Sequence, residues 1–189
     1  TSGAERLRVD NTGNVGIGRT NPGKLLDVNG DALINGLSIG RGAGNASSNT
    51  VVGSTALNAN TTGTNNTAVG STALQSNTEG TENTAVGGTT LLSNTTGRNN
   101  TAVGRQALRN NTEGSSNTAV GQVALNNNIT GTNNTAIGRT AGFYIEGSNN
   151  TILGAYVGTT ADATLNDTVI ISAGTAERLR IDSSGNVGI

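Results

Sequence analysis

A 17-residue repeat fills the middle of the chain and restricts its fold more than any other feature. Its register is set by a glycine that ends each "NTAVG"-like segment and that recurs at every seventeenth position until the last step, which is one position shorter. The glycines are Gly53, Gly70, Gly87, Gly104, Gly121, Gly138 and Gly154. The residues before them are Val52, Val69, Val86, Val103, Val120, Ile137 and Leu153. A threonine stands three positions before each glycine, from Thr50 to Thr151, and "NDTVIISAG" forms a degenerate last copy in which Thr168 follows Thr151 by one full period.

The composition of each copy favours β structure over helix. A helical repeat would space apolar residues by three and four and would avoid so much Gly, Asn and Thr. We predict two short strands per copy, "NTAVG" and the stretch near "ALxxNT", joined by turns that contain glycine. Stacked copies place equivalent residues about 4.8 Å apart. The sequence therefore predicts an all-β fold, a parallel β-solenoid or β-roll of 17-residue coils.

A single coil contains little apolar material. Only 32% of the 189 residues are hydrophobic and 2% are aromatic. One coil offers one Val, one Leu and a few Ala, which contribute about 1.5–3 kcal/mol per large side chain, whereas ordering costs about 1–2 kcal/mol per residue. Because Ala68, Ala85, Ala102 and Ala119 lie opposite Val on the pleat, we expect neighbouring chains to pack against this small face. We hypothesise a parallel homotrimer.

The two ends of the chain repeat each other. "AERLRVDNTGNVGIG" begins at Ala4, and "AERLRIDSSGNVGI" begins at Ala176. Both alternate polar and apolar residues around a Gly-containing turn, which is typical of a β-hairpin. We predict a β shaft or connector at 1–38, the β-roll at 39–174 and the start of a second shaft at 175–189. Because the second copy stops before an equivalent of Gly18, we expect a longer, modular fibre.

Two stretches resemble known fibre proteins. "GNVGIGRTNPGKLLDVNGDALINGLSIG" resembles the shaft module of phage tail fibres and related bacterial trimeric fibres. The "NNTAVGSTAL…NTEG" copies are similar to the β-roll heads of trimeric autotransporter adhesins. This resemblance implies a trimer, a location outside the cell or on a cell or virion surface, and a role in attachment.

The sequence offers little catalytic chemistry. It has no His and no Cys, so we expect no hydrolytic triad and no zinc site. Asp and Asn turns leave calcium binding open, but they lack EF-hand-like spacing, and we expect neither a metal site nor a cofactor. Carboxylates at Glu79, Glu113 and Glu146, with Glu82, Asp162 and Asp167, leave glycan cleavage by paired acids open, although solvated turn residues explain them more simply. The 11 basic and 12 acidic residues are scattered, which argues against a nucleic-acid partner, and no apolar run is long enough for membrane insertion.

The candidate contact residues are few. The only aromatic residues are Phe143, Tyr144 and Tyr156, in the shortened coil. Their rings could stack on sugars, or they could close the end of the roll as terminal repeats do. Arg105 and Arg139 follow repeat glycines and could contact acidic glycans, or simply face solvent.

We therefore expect a non-enzymatic structural and adhesive fibre segment that presents a surface to a host cell or receptor, with a glycan as the expected ligand. A regular Thr column also leaves open a second function, binding to ice or another crystal surface. An ice-binding face would need a second Thr column beside the first. Here the second column is mixed: Thr61, Thr78, Thr95, Thr112 and then Ile129. A glycan-degrading fibre is a further alternative.

Overall fold

The computed structural model describes residues 6–46, 48–159, 162–174 and 176–189. These residues are all-β apart from short turns such as the 3₁₀ helix Ala43–Asn45. The first strands are β1 (Leu7–Val9), β2 (Val15–Ile17), β3 (Leu26–Val28), β4 (Ala32–Ile34) and β5 (Leu37–Gly40). The repeat contributes β6 (Thr50–Val52), β7 (Thr67–Val69), β8 (Thr84–Val86), β9 (Thr101–Val103), β10 (Thr118–Val120), β11 (Thr135–Ile137), β12 (Thr151–Leu153) and β13 (Val169–Ala173). The chain continues with β14 (Ala176–Ile181) and β15 (Val187–Gly188).

The repeat forms a parallel β-solenoid of about seven turns, as predicted. Strands β6 to β13 pair in chain order, each parallel to the next, and from β6 to β10 each residue pairs with its equivalent one repeat further on. Eight strands at about 4.8 Å span about 34 Å. The ladder is extended at both ends by antiparallel strands, β5 with β4 on one side and β14 with β15 on the other.

The alignment of the last coil differs from the prediction by one residue. Thr151 pairs with Val169 and Leu153 with Ile171, so this step is one position longer than the repeat period. Thr168 does not continue the threonine column. Its main-chain N–H donates to the Asn150 side chain, as the buried asparagines of earlier coils do.

Two asparagine ladders run through the interior and explain much of the repeat. In the first, Asn100 is fully buried, and its Nδ2 donates to the carbonyl oxygen of Gly114 at 2.8 Å. Its Oδ1 accepts the main-chain N–H of Asn117, one coil further on, at 3.0 Å. The second ladder joins equivalent amides such as Asn94 and Asn111 at 2.8 Å. Buried polar groups are thus hydrogen-bonded from coil to coil, as burial requires.

The glycine of each second turn is needed because these amides lie against it. A Cβ added to Gly97 would come within 2.5 Å of the carbonyl oxygen of Gly114 and would overlap the Asn94 side chain. No side chain larger than hydrogen fits there without moving the ladder. The fixed spacing between the second-ladder asparagine and the glycine three positions later therefore follows from the contact between the asparagine amide and that glycine.

The prediction about the alanine face is wrong. Ala68, Ala85, Ala102 and Ala119 are fully buried inside a single chain, where they belong to the same core as Leu74, Leu91 and Leu108. In these coils Leu and Asn occupy the interior, so the strand places only a small side chain inward. Towards the ends of the ladder, Val51 and Ile152 take the equivalent inward position. The valines that alternate with these alanines point outward instead.

The predicted second strand of each coil is also wrong. The segment after the repeat glycine is a run of turns, because Thr89 and Leu91 have left-handed backbones at φ 56° and 49°. Equivalent pairs recur in neighbouring coils, for example Gln106 and Leu108. The curved segment still bonds to the next coil, since the Leu91 N–H donates to the carbonyl oxygen of Ala107 at 3.1 Å.

Both flanks are β-hairpins, as predicted. β1 pairs with β2, β14 with β15, and β2 also pairs in parallel with β3. The Asn35-Gly36 pair forms the two-residue turn between β4 and β5, and both residues have positive φ. That geometry is typical of a type I′ hairpin turn.

Candidate functional site

The outward face of the parallel ladder is the most regular surface of the molecule. Thr and the aliphatic residue stand two positions apart in each short strand, so both side chains leave the coil on the same side while the Ala between them points inward. Stacking of the coils turns these pairs into two parallel columns with a period of about 4.8 Å. We call this surface the Thr–Val face.

The aliphatic column of the Thr–Val face is partly exposed along its whole length. Val103 is 37% exposed and Ile137 is 45% exposed, although neighbours one coil above and below cover part of each side chain. The column consists of Val52, Val69, Val86, Val103, Val120, Ile137, Leu153 and Ile171. It continues into the flanking strands, because Ile39 lies opposite Val52 and Leu179 lies opposite Ile171. A soluble single chain rarely leaves so long an apolar stripe uncovered.

The threonine column presents hydroxyl groups beside this stripe. Within the described part of the chain, the hydroxyls of Thr67, Thr84 and Thr101 have no hydrogen-bond partner. The other threonine column differs, since the hydroxyls of Thr78 and Thr95 donate to carbonyl oxygens of the next coil. Of these two columns, the one on the Thr–Val face therefore keeps its hydroxyl donors for an external group.

The two candidate arginines lie at the rim of the Thr–Val face. Arg105 and Arg139 each follow a repeat glycine, and both side chains are exposed. They occupy equivalent positions two coils apart, which corresponds to about 9.6 Å along the ladder. Neither forms a salt bridge with another described residue. The pair can thus offer two cationic groups to one extended anionic ligand.

The three aromatic residues separate into a contacting pair near the surface and a buried ring. Phe143 and Tyr144 meet edge to face with ring centroids 4.7 Å apart, and Tyr144 is the more exposed of the two. Tyr156 is buried in the core cluster next to the last coil. Of these rings, Tyr144 is the most accessible to solvent, whereas Tyr156 packs against the core at the end of the roll.

A polar cluster ties the last coil to the β14 strand. The Tyr156 hydroxyl donates to Asp162 at 2.9 Å, and the Arg180 guanidinium bonds both Asp162 and Glu177. Burial and the hydrogen bond to the Asp162 carboxylate raise the pKa of Tyr156 to about 12. Burial also favours the neutral form of Asp162, but hydrogen bonds from Thr159 and Tyr156 outweigh it and hold the pKa of that carboxyl below its usual range.

Sequence reasoning did not identify Arg180 as part of this cluster. It lies in a strand of alternating residues, where a charged side chain is normally solvated. A signal was available in the sequence, because the flank that contains Arg180 directly follows the last copy of the repeat, and the structure pairs its first strand with β13. The cluster is an ion-paired joint between two elements.

The candidate acidic residues are not gathered into a catalytic pair. Glu79, Glu113 and Glu146 occupy the same turn in alternate coils and all are exposed, with about 9.6 Å between successive positions. A shallow depression of about 270 Å³ is lined by Thr130, Glu146, Gly147, Ala163, Thr164 and Asn166, so it contains a single carboxylate. Glu82 and Asp167 are exposed at another corner. Within the described ranges, no group of three or more acidic residues could hold a metal ion.

The chain was compared with known proteins, and no family model, curated protein or solved structure matches it. The described residues also contain no helix with the length and apolar character needed to cross a lipid bilayer.

Proposed function

We propose that this chain is a structural and adhesive segment of a trimeric surface or tail fibre, located outside the cell or on a virion. The observation that carries the proposal is the aliphatic column of the Thr–Val face. It runs the length of the solenoid and continues into both flanks, so a parallel copy in the same register could cover it from end to end.

The geometry favours parallel, in-register association of identical chains. A column with a period of about 4.8 Å matches an identical column at every rung, whereas an unrelated surface would match only a few rungs. The flanks add to the apolar surface to be covered, since Leu26, Leu33 and Ile34 are 59–73% exposed. Three chains about one axis would bring the three columns together. This assignment replaces the alanine face with the aliphatic face as the contact between chains.

The assembly is tested with a charge placed on the column. Val120→Asp puts a carboxylate into the proposed contact in three copies, and we expect the concentration for half-assembly to rise at least about tenfold. Ile129→Asp is the matched control, because Ile129 is similarly exposed but lies outside the ladder strands. Light scattering over a concentration series measures both. A wild-type chain that stays monomeric at micromolar concentration would refute the trimer.

The adhesive role is supported by the exposed cationic rim and Tyr144. Two arginines about 9.6 Å apart on each of three chains would bind an acidic glycan weakly at each site and more tightly together. We expect the assembled protein to bind sialylated or uronic acid glycans on an array, and Arg105→Ala with Arg139→Ala to lose that signal. Arg98→Ala is the control, since Arg98 is exposed at a different corner. Absence of binding to every glycan and to host cells would leave only a spacer role.

A second candidate is binding to ice or another crystal surface, favoured by the free threonine hydroxyls beside a regular aliphatic column. The same face cannot be buried between chains and also lie on a crystal. Thermal hysteresis of the purified protein distinguishes the two functions, because a fibre segment gives none. Substituting Thr101 with Tyr on the Thr–Val face should abolish any hysteresis that is observed.

A further inference from the structure

The two terminal hairpins have the same pairing, residue for residue. Arg8 lies opposite Gly16 and Val9 opposite Val15, while Arg180 lies opposite Gly188 and Ile181 opposite Val187. Their turns are also equivalent, since Asp10 and Asp182 each accept the main-chain N–H of the asparagine four positions later at 2.9 Å. They are two copies of one structural element.

The two copies differ in which edge is occupied. The outer edge of β14 is paired with β13, the last strand of the solenoid, whereas β1 has no further neighbour in its sheet among the described residues. On the other side, β2 is paired in parallel with β3, whereas β15 is the outermost described strand of its sheet. Each hairpin is thus paired on one outer edge, and the equivalent edge of the other hairpin is unpaired among the described residues.

The surroundings of one glycine show that β15 has space for that neighbour. At Gly16, an added Cβ would lie 2.7 Å from the carbonyl oxygen of Arg19 and 3.3 Å from Cβ of Pro22, because the segment leading to β3 crosses over it. At the equivalent Gly188, no atom of the described residues lies within 4 Å of such a Cβ. Likewise, the Asn14 side chain donates to the carbonyl oxygen of Pro22, while that of Asn186, among the residues described, bonds only to Asp182 in its own turn.

We propose that the open edge of β15 is a docking edge for the connector segment, residues 18–28, of a second copy of this chain. The strand equivalent to β3 would pair in parallel, with its Leu26 opposite Val187 and its Asp27 opposite Gly188. One hairpin would then serve as the end of one solenoid and the beginning of the next connector. The proposal goes beyond the proposed function, because it concerns end-to-end joining and requires neither trimer formation nor glycan binding.

A tandem protein tests this joint. Residues 1–189 are followed directly by residues 18–189, so that the hairpin 176–189 replaces the first hairpin of the second copy. In the first hairpin the Val15 N–H donates to the carbonyl oxygen of Leu25 at 2.9 Å, so the Val187 amide should gain the equivalent bond. We expect hydrogen exchange at Val187 to slow at least about tenfold relative to the single chain.

Two controls make the result specific. Two complete chains joined by a long Gly-Ser linker keep the first hairpin of the second copy, which already holds its own connector, so Val187 should exchange as in the single chain. Gly188→Ala should change nothing in the single chain but should reverse the protection in the direct tandem, because the new methyl group meets the crossing segment. Equal exchange at Val187 in all three proteins, or equal effects of Gly188→Ala in single and tandem chains, would overturn the proposal.

Discussion

Replacing one rung of the first asparagine ladder tests the account of the solenoid core. In Asn100→Ala, the Asn117 N–H loses the Oδ1 acceptor that lies 3.0 Å away and becomes a buried donor without a partner. Three side-chain bonds are lost as well: those from Asn100 Nδ2 to Asn83 Oδ1 and to the Gly114 carbonyl, and the one from Asn117 Nδ2 to Asn100 Oδ1. An orphaned buried group costs about 1–3 kcal/mol and each other bond about 1 kcal/mol. We expect the free energy of unfolding to fall by about 4–6 kcal/mol.

The measurement is chemical denaturation followed by far-ultraviolet circular dichroism at one fixed protein concentration. Asn58→Ala is the matched control, because Asn58 is an exposed asparagine of the same repeat whose side chain makes no hydrogen bond with a described residue. It should change stability by less than about 0.5 kcal/mol. If Asn100→Ala also cost less than about 1 kcal/mol, the ladder would not be a major source of stability and the reasoning would fail.

Three further perturbations probe other parts of the fold. Leu91→Ala should lower the free energy of unfolding by about 2–5 kcal/mol in the same denaturation assay, since this side chain is fully buried. Gly104→Ala should cost more than about 2 kcal/mol in that assay, because φ is 126° and the new Cβ would lie 2.6 Å from the carbonyl oxygen of Gly121. The Tyr156 phenol is held neutral in the folded chain, with its pKa raised from 10.0 to about 12. Its contribution to stability should therefore be complete below about pH 10 and disappear between about pH 10 and 12. Melting temperature against pH should show this loss in the wild type, and a Tyr156→Phe variant with the same alkaline loss would contradict it.

The register of the solenoid could be predicted from sequence because stacking makes it repetitive. A residue at one position of a coil meets its own equivalent in the next coil, so the identity of Asn66, Asn83 and Asn100 at a fixed spacing reports a contact directly. The hairpins could be predicted for a similar reason, since alternation and turn residues are local signals. The shift at Thr168 could not be seen in the sequence. Thr168 follows Thr151 by one full repeat period, but in the structure Thr151 pairs with Val169, one position later.

Which residues of the strand point into the coil could not be predicted from hydrophobicity. Val is larger and more apolar than Ala, so burial energy alone would put Val inside. In the central coils the available volume favours Ala instead, because a leucine such as Leu91 and two asparagine columns already occupy the interior. The left-handed backbone at Leu91 could not be predicted either, because that conformation costs a leucine about 1–2 kcal/mol relative to the right-handed one. Both features are set by contacts between coils, and the conformational preferences of single residues carry no information about such contacts.

Because the alanines point inward and the valines outward, the proposed assembly has a different task. The interior of the solenoid is completed by one chain, because its asparagine amides, leucines and alanines satisfy one another from coil to coil. The proposed association between chains is therefore not needed to close the core, and we expect its driving force to come from the aliphatic column on the outside. Separation of the chains and unfolding of a coil should then be distinct events. Dilution of a column variant such as Val120→Asp should release monomers that keep the far-ultraviolet spectrum of the assembled protein, and spectral loss that coincides with dissociation would show instead that the coil depends on its neighbours.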